Sequence, residues 1–342
     1  MSQGPPTFGF VAIARNEGER LKNCLRSLLA ATDRIIYVDS GSTDGSVEFA
    51  HSCGIEVLPM DTTKKFSMSR ARNAGCEALV ARWPDVEWVH FIDGDCELVP
   101  GWIEAATGFL TGHPEVVIVC GRRVERFPEH SVYNRLCDIE WNTPVGEAKA
   151  SGGDALMRIA DFRRVGGFNE ELIAGEEPEL CLRLRRAGGR IWRLGHDMTR
   201  HDANITKFSQ WWRRHVRAGY AAADVSRRTA IETGGEEILF QDKLRSPLVW
   251  TAGTCVLFLC GLLSLSPVVL AAVVLIILAA YAAQSLKIAR GIRARCRSGR
   301  MALEYGISTM LAKWPQTLGI LQCWINRKQN RQAEVIDYKR GA

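Results

Sequence analysis

Asp93 and Asp95 stand one residue apart in "HFIDGDCELVPGWIE", residues 90–104, after an apolar run and before a turn at Pro100-Gly101. Two like charges at the end of a buried strand repel each other and lose hydration, so they need a cation or strong hydrogen-bond donors. A cap for a helix starting near Pro100 is the plainer explanation, but a cap uses a single side-chain oxygen. Other polar clusters share this placement: "ARNE" (14–17) and "DSGSTDG" (39–45) also follow apolar runs. "GEEPEL" (175–180) gathers Glu176, Glu177 and Glu179 around Pro178, the composition of an acid-rich helix start. "ASGGDALMR" (150–158) sets two glycines before Asp154, which would let the backbone approach a ligand closely. His201 lies in "TRHDANITKF", beside Asp202.

The elements that must position these groups alternate. "FGFVAI" (8–13) predicts a strand, and Leu21, Cys24, Leu25, Leu28 and Leu29 then follow at helical spacing. "RIIYVD" predicts a strand, Ser46 onward a helix, "IEVLPM" a strand, "SMSRARNAGCEALVAR" a helix and "EWVHFIDGD" a strand. Such alternation implies a parallel sheet with helices on its faces, and ligands bind such sheets beyond the carboxyl ends of the strands. The clusters at 14–17, 39–45 and 93–95 are therefore expected to converge. Arg70 and Arg72, two residues apart, cannot share one helix face.

The chain has 342 residues, enough for one large or two ordinary domains, and at 46% hydrophobic and 24% charged it is globular rather than disordered. Eleven scattered cysteines without a CxxC pair argue against a disulfide framework or zinc site and for a reducing cytoplasm. "MSQGPPTFGF" has neither the basic start nor the apolar core of a secretory leader, so none is expected. The net charge of +6 is uneven: from Lys287 on there are 12 Lys+Arg against 3 Asp+Glu, leaving 32 against 35 before it. A basic tail calls for an anionic partner, nucleic acid or lipid. The charge-free run from Ser246 to Leu286 decides for lipid, because it is about twice the ~20 residues of one membrane helix. "SLSP" (264–267) breaks it, which predicts a hairpin over about 247–264 and 267–285. Lys243 and Arg245 before it, and Lys287, Arg290, Arg293, Arg295 and Arg297 after it, place both ends in the cytoplasm. The competing explanation is a core hairpin of a soluble domain. In the tail, Trp314 and Trp324 suit a helix lying at headgroup depth; a helix packed on the soluble domain is the alternative.

"VAIARNEGERLKNCLRSLL", "IIYVDSGSTDGS", "ARNAG", "FIDGD", "GGDALMR", "VGGFNEELIAGEEPELCLRLRRAG" and "RHDANITKFSQWWRRHVRAG", in this order over about 8–220, resemble the family 2 inverting glycosyltransferases of the GT-A fold. The hairpin and tail resemble membrane-attached bacterial members that build cell-surface polysaccharide. The resemblance implies an α/β, Rossmann-like, mainly parallel sheet with helices on both faces, followed by a C-terminal membrane helical hairpin and an amphipathic tail. The expected domains are 1–235, 246–286 and 287–342. It implies a nucleotide-diphosphate sugar donor whose departing diphosphate is neutralised by Mn2+ or Mg2+. Asp95 would bind that metal, with His201 as second protein ligand, and Asp93 would face the ribose and sugar. Ala14, Arg15, Asn16 and Glu17 would hold the base and ribose, and Asp39 would receive the base N–H, with Asp44 capping the next helix. Arg72, in the family's ARN pattern, would reach the diphosphate, and Gly153 and Asp154 would meet the donor sugar.

Inversion requires a base opposite the leaving group. The family's pair is Glu-Asp with the second member as base; here that position is Glu177, one methylene longer, with Glu176 as competitor. "QWWRR" (210–214) matches the processive signature QxxRW at Gln210 and Arg213, but Arg214 replaces its Trp, and there is a single hairpin, so one sugar per encounter is expected. Trp211, Trp212 and Arg213 are the acceptor-side residues; burial in a core is the alternative for the tryptophans. The expected activity is transfer to a lipid-linked saccharide at the inner leaflet of a bacterial cytoplasmic membrane, with the catalytic domain and C-terminus cytoplasmic. Anionic lipids are expected as partners, nucleic acid is not, and an oligomer is compatible with the sequence. The alternatives are a polyprenyl-phosphate glycosyltransferase, whose usual Arg-x-x-Gly-x-Ser-Lys stretch is missing, and a non-catalytic sugar-nucleotide-binding scaffold.

Overall fold

The computed structural model describes residues 6–331 apart from Lys65, so the first five residues of the leader comparison and the tail from 332 onward lie outside the described residues. The chain forms two compact units, Met1–Phe127 with Glu140–Ala203, and Pro128–Ile139 with Asn204–Ala342.

The first unit holds a mixed sheet and its helices. In chain order these are β1 (Phe8–Ala14), α1 (Glu19–Leu29), β2 (Ile35–Asp39), α2 (Ser46–Ser52), β3 (Glu56–Pro59), α3 (Met68–Arg82), β4 (Trp88–Asp93), β5 (Cys96–Leu98), α4 (Trp102–Leu110) and β6 (Val116–Glu125). After α5 (Val132–Trp141), most of which belongs to the second unit, follow β7 (Gly146–Glu147), β8 (Ala155–Arg158), α6 (Ile159–Arg164), α7 (Glu176–Arg186) and β9 (Arg190–His201). The strand order is β3-β2-β1-β4-β8-β6-β9-β5, with β7 on β9. The four strands β3-β2-β1-β4 are parallel, as the alternation predicts, and β1 and β2 are apolar and buried almost throughout because helices cover both faces. Beyond β4 the sheet is mixed: β8 runs antiparallel to β4 and β6, and β5 antiparallel to β9.

Register carries the chemistry. Ala14 lies opposite Asp39, and Ile13 opposite Asp93, so three adjacent strands end level with one another. The short β5, which begins three residues past Asp93, pairs Cys96 with His201. That pairing closes a gap of about a hundred residues in the chain and brings the histidine beside Asp95.

The second unit is helical: most of α5, then α8 (Phe208–Glu232), α9 (Gln241–Leu263), α10 (Pro267–Ile292), α11 (Gly299–Leu311) and α12 (Lys313–Lys328). Gln210 starts α8 by accepting from the Thr206 and Lys207 amides at 2.9 and 3.0 Å. The hairpin breaks where the sequence predicts, with Pro267 opening α10 and the Ser266 hydroxyl accepting from the Val269 amide. Its helices run further at the outer ends than 247–264 and 267–285. At 1.5 Å per residue the 23 and 26 residues reach about 34 and 39 Å, beyond a hydrocarbon core of about 30 Å. Their apolar side chains are uncovered, with Val268 and Leu275 at 76% and 66% exposure, which is not how a soluble core hairpin looks.

The division at Ala203 differs from the expected boundary at 235. Helix α8 packs with the C-terminal helices, because α8 and α12 approach through glycine. A Cβ on Gly219 would lie 2.0 Å from the Gln316 carbonyl oxygen, and one on Gly319 would lie 1.9 Å from that of Val216. Among the described residues the tail holds the two helices α11 and α12, and α12 has two apolar faces. Pro315, Gly319, Ile320 and Cys323 are buried, while Trp314, Leu318, Trp324 and Ile325 remain exposed.

Candidate active site

The turn after β2 is built around Asp39. Its Oδ1 accepts from the Tyr37 hydroxyl at 2.6 Å, and its Oδ2 from the Gly41 and Ser42 amides at 2.9 and 3.0 Å. Burial and the Asp39 carboxylate push the Tyr37 phenol well above its ordinary pKa, so it stays a donor. Asn16 holds a left-handed φ of 56° and stitches two strand ends together: its amide donates to Ser42 Oγ at 2.9 Å and its Oδ1 accepts from the Thr43 amide at 2.7 Å. Glu17 pairs with Arg20 at 2.6 Å, Arg15 is exposed, and the Ala14 carbonyl accepts from the Ser40 amide. Asp44 accepts from the Gly18 and Ser46 amides, but the N-cap position of α2 is Gly45, so Asp44 stands one residue before the cap expected of it.

Beside this turn lies a buried charge network. The Arg72 guanidinium, under the Phe168 ring, donates to Asp93 Oδ1 at 2.6 Å and to Glu176 Oε1 at 2.8 Å. Its two terminal nitrogens are engaged by these carboxylates, while its buried Nε has no hydrogen-bond partner. Arg123 pairs with Asp154 at 2.7 Å through Nη2 and 3.1 Å through Nε, and approaches Asp93 Oδ2 at 3.5 Å. Asp154 is fully buried and also accepts from Thr199 Oγ1 at 2.7 Å and the Asp93 amide at 3.3 Å. It is the counterion of Arg123, not a surface for sugar hydroxyls. Gly153 makes room for the guanidinium: a Cβ there would sit 2.3 Å from Arg123 Nη2. Burial disfavours the charged form of Asp93, but Arg72 and Arg123 outweigh it and hold the carboxyl well below the usual carboxylate range.

Asp95 and His201 meet as expected of a metal pair. Asp95 Oδ2 is 3.2 Å from His201 Nε2, both residues are buried, and Cys96 lies close by. His201 Nδ1 is buried without a hydrogen-bond partner, 4.0 Å from Glu125 Oε2, and the Trp141 ring stands edge-on at 4.7 Å. One carboxylate and one imidazole, in a pocket where the ring nitrogens have little else to bind, fit a divalent ion of the Mn2+ or Mg2+ kind.

Helix α7 starts after Gly175, whose left-handed φ of 82° turns the chain into it. Glu176 is ion-paired to Arg72. Glu177 is held differently: its Oε1 accepts from the Ser151 amide at 2.5 Å, Ser151 Oγ at 2.7 Å and Cys181 Sγ at 3.0 Å. Burial raises the Glu177 pKa, and these donors only partly offset it. Glu179 serves the fold, bridging to Arg183, which in turn donates to the Val165 and Gly167 carbonyls.

In the second unit, Trp211 is buried, stacks on Phe208 and donates from Nε1 to Ser308 Oγ at 3.2 Å, so core burial accounts for this tryptophan. Trp212 and Arg213 are half-buried on α8. Sequence reasoning missed Arg123, Trp141, Ser151, Cys181 and Thr199. The only available signal was a doubled arginine at 122–123 after an apolar run.

Residues 10–153 match the family model described as Glycosyl transferase family 2. The chain is 29% identical over 230 residues to the pre-mycofactocin glycosyltransferase of Mycobacterium tuberculosis, covering 63% of this chain and 46% of the relative. It is 28% identical over 186 residues to the succinoglycan biosynthesis protein ExoA of Rhizobium meliloti, covering 51% and 54%. It is 24% identical over 216 residues to the O-antigen chain rhamnosyltransferase RfbN of Salmonella typhimurium, covering 58% and 67%. The chain thus spans about half the length of the first two of these relatives. Among solved structures, a mannosyltransferase from Pyrobaculum calidifontis in complex with GDP-Man and Mn2+ shares the fold, with a TM-score of 0.58, 15% identity and coverage of 95% of this chain and 89% of that one.

Proposed function

We propose that this chain, which belongs to the family 2 glycosyltransferases, moves one sugar from a nucleotide-diphosphate sugar to a lipid-linked saccharide in cell-surface polysaccharide synthesis, with inversion at the anomeric carbon. One observation carries the reading: Asp95 lies 3.2 Å from His201, and Glu177 accepts from the Ser151 amide and hydroxyl and the Cys181 thiol. Asp95 and His201 would hold Mn2+ or Mg2+, as suits a fold whose solved neighbour carries Mn2+. Such an ion, when bound, offsets the charge of a departing diphosphate. The Asp39 turn and the 14–17 loop receive the base and ribose, and Asp93 fixes the ribose and sugar side. Glu177 takes the proton of the acceptor hydroxyl as the new bond forms. Glu176 is instead engaged by the Arg72 guanidinium at 2.8 Å. Helices α9 and α10, flanked by basic residues, span the membrane and confine the enzyme to lipid-borne acceptors, with the catalytic unit and C-terminus in the cytoplasm. The exposed Trp314, Leu318, Trp324 and Ile325 of α12 rest on the anionic leaflet.

The test uses the full chain in detergent. UDP-, GDP- and dTDP-sugars are screened for a rise in melting temperature with and without Mn2+, because a ligand that binds only the folded state stabilises it. Transfer is then assayed with polyprenyl-diphosphate saccharide against polyprenyl phosphate, and the product anomer is determined by NMR. The reading predicts Mn2+-dependent stabilisation, transfer to the saccharide and an inverted anomer. A retained anomer, or transfer to polyprenyl phosphate alone, overturns it.

A further inference from the structure

We propose that Ser151 and Cys181 form a clamp that positions Glu177 as the base, fixing one carboxylate oxygen so that the other faces the acceptor hydroxyl. The proposal rests on the reading of Glu177 as base. A glutamate side chain has three rotatable bonds and would otherwise sample several rotamers. Here its Oε1 takes three donors from two elements, the Ser151 amide and hydroxyl at 2.5 and 2.7 Å and the Cys181 thiol at 3.0 Å. Cys181 lies one turn along α7 from Glu177, so thiol and carboxylate share a helix face. Ser151 is itself pinned. Its carbonyl accepts from Arg193 Nη2 at 2.9 Å, and Arg193 also donates to the Gly121 carbonyl. The clamp thus connects the segment before β8 with α7, β6 and β9.

The thiol serves only as a donor. It is buried, and desolvation together with the Glu177 charge pushes it well above its ordinary pKa. The other titratable or charged groups around Glu177 are Cys120 on β6, Arg193 on β9 and Glu176, which Arg72 neutralises. The three donors stabilise the carboxylate against the burial that raises its pKa. Removing a donor must therefore raise that pKa further and move the acid limb of kcat/KM to higher pH.

The full chain in detergent is assayed over pH as wild type, Ser151→Ala, Cys181→Ala, Cys181→Ser and Glu177→Gln, with melting temperatures confirming that each is folded. Ser151→Ala should move the acid limb up by about one pH unit and lower kcat at a given pH with little change in donor KM. Cys181→Ala should move it less, because a thiol is a weak donor, and Cys181→Ser should restore it. If Ser151→Ala does not fold, the Cys181 pair decides. Alanine variants with the wild-type acid limb, beside an inactive Glu177→Gln, refute the clamp and leave the base standing. A Glu177→Gln variant that keeps transfer refutes the base assignment and the clamp together.

Discussion

Replacing Arg72 with methionine should damage the fold before it affects donor affinity. The guanidinium is buried, with its side chain 3% exposed, and it neutralises Glu176 at 2.8 Å and Asp93 at 2.6 Å. Without it, Glu176 keeps a nearly buried carboxylate, 9% exposed, with its ion partner gone. Asp93 retains Arg123 at 3.5 Å and is 25% exposed. Removing one partner of a buried ion pair costs about 3–5 kcal/mol, because the remaining charge stays desolvated. The surviving Asp93–Arg123 contact places this case near the lower end, at about 3 kcal/mol. That is a large share of a domain's net stability of about 5–15 kcal/mol. Denaturant unfolding of the full chain in detergent measures it, with donor affinity titrated in parallel. Adding Glu176→Gln removes the stranded charge, so the double variant should be more stable than Arg72→Met alone, with a coupling of about 1–3 kcal/mol. A variant with wild-type stability and a raised donor KM would refute the reasoning. It would mean that the guanidinium is free to serve the diphosphate after all.

Other perturbations separate the remaining roles. Asp95→Asn should abolish Mn2+-dependent transfer and weaken Mn2+ binding measured by EPR, while the melting temperature without metal stays near that of the wild type. Gly153→Ala should destabilise by about 1–3 kcal/mol, because its methyl would overlap Arg123 Nη2 at 2.3 Å; the unfolding midpoint reports this. Gly219→Ala should cost at least as much, about 3 kcal/mol, because backbone rather than a flexible side chain blocks it at 2.0 Å. Gly108→Ala on α4 meets nothing within 4 Å and should instead stabilise by up to about 1 kcal/mol.

The parallel part of the fold was legible because its signals are local. Apolar runs ending in polar turns mark buried strands whose carboxyl ends carry the site, and Ser266-Pro267 marks a helix start by its own chemistry. The allegiance of α8 was not legible. An amphipathic pattern says that one face must be covered but not by what, and here glycines from two distant helices decide it. The partners of Asp154 and Arg72 were not legible for a similar reason. Their residue types suit sugar and phosphate, but the partners that use them up, Arg123 and Glu176, lie 31 and 104 residues away and are brought in by sheet order and helix placement.

Once those partners are known, the charges themselves sort the site. Buried or half-buried carboxylates crowd the site, among them Asp93, Asp95, Asp154, Glu176 and Glu177. Two arginines sit among them, and both are committed, Arg72 to Asp93 and Glu176, Arg123 to Asp154 and Asp93. Of the carboxylates so paired, Asp93 is held well below the usual carboxylate range by Arg72 and Arg123. Asp95 lies 3.2 Å from an imidazole nitrogen, and Glu177 accepts from an amide, a hydroxyl and a thiol. A group meant to bind a cation should not already be neutralised, and a group meant to accept a proton should not be held ionised by a guanidinium. By that argument Glu177, rather than the Glu176 paired with Arg72, is the base we propose. The choice between Glu176 and Glu177, which adjacent identical residues leave open in the sequence, turns on an arginine in α3.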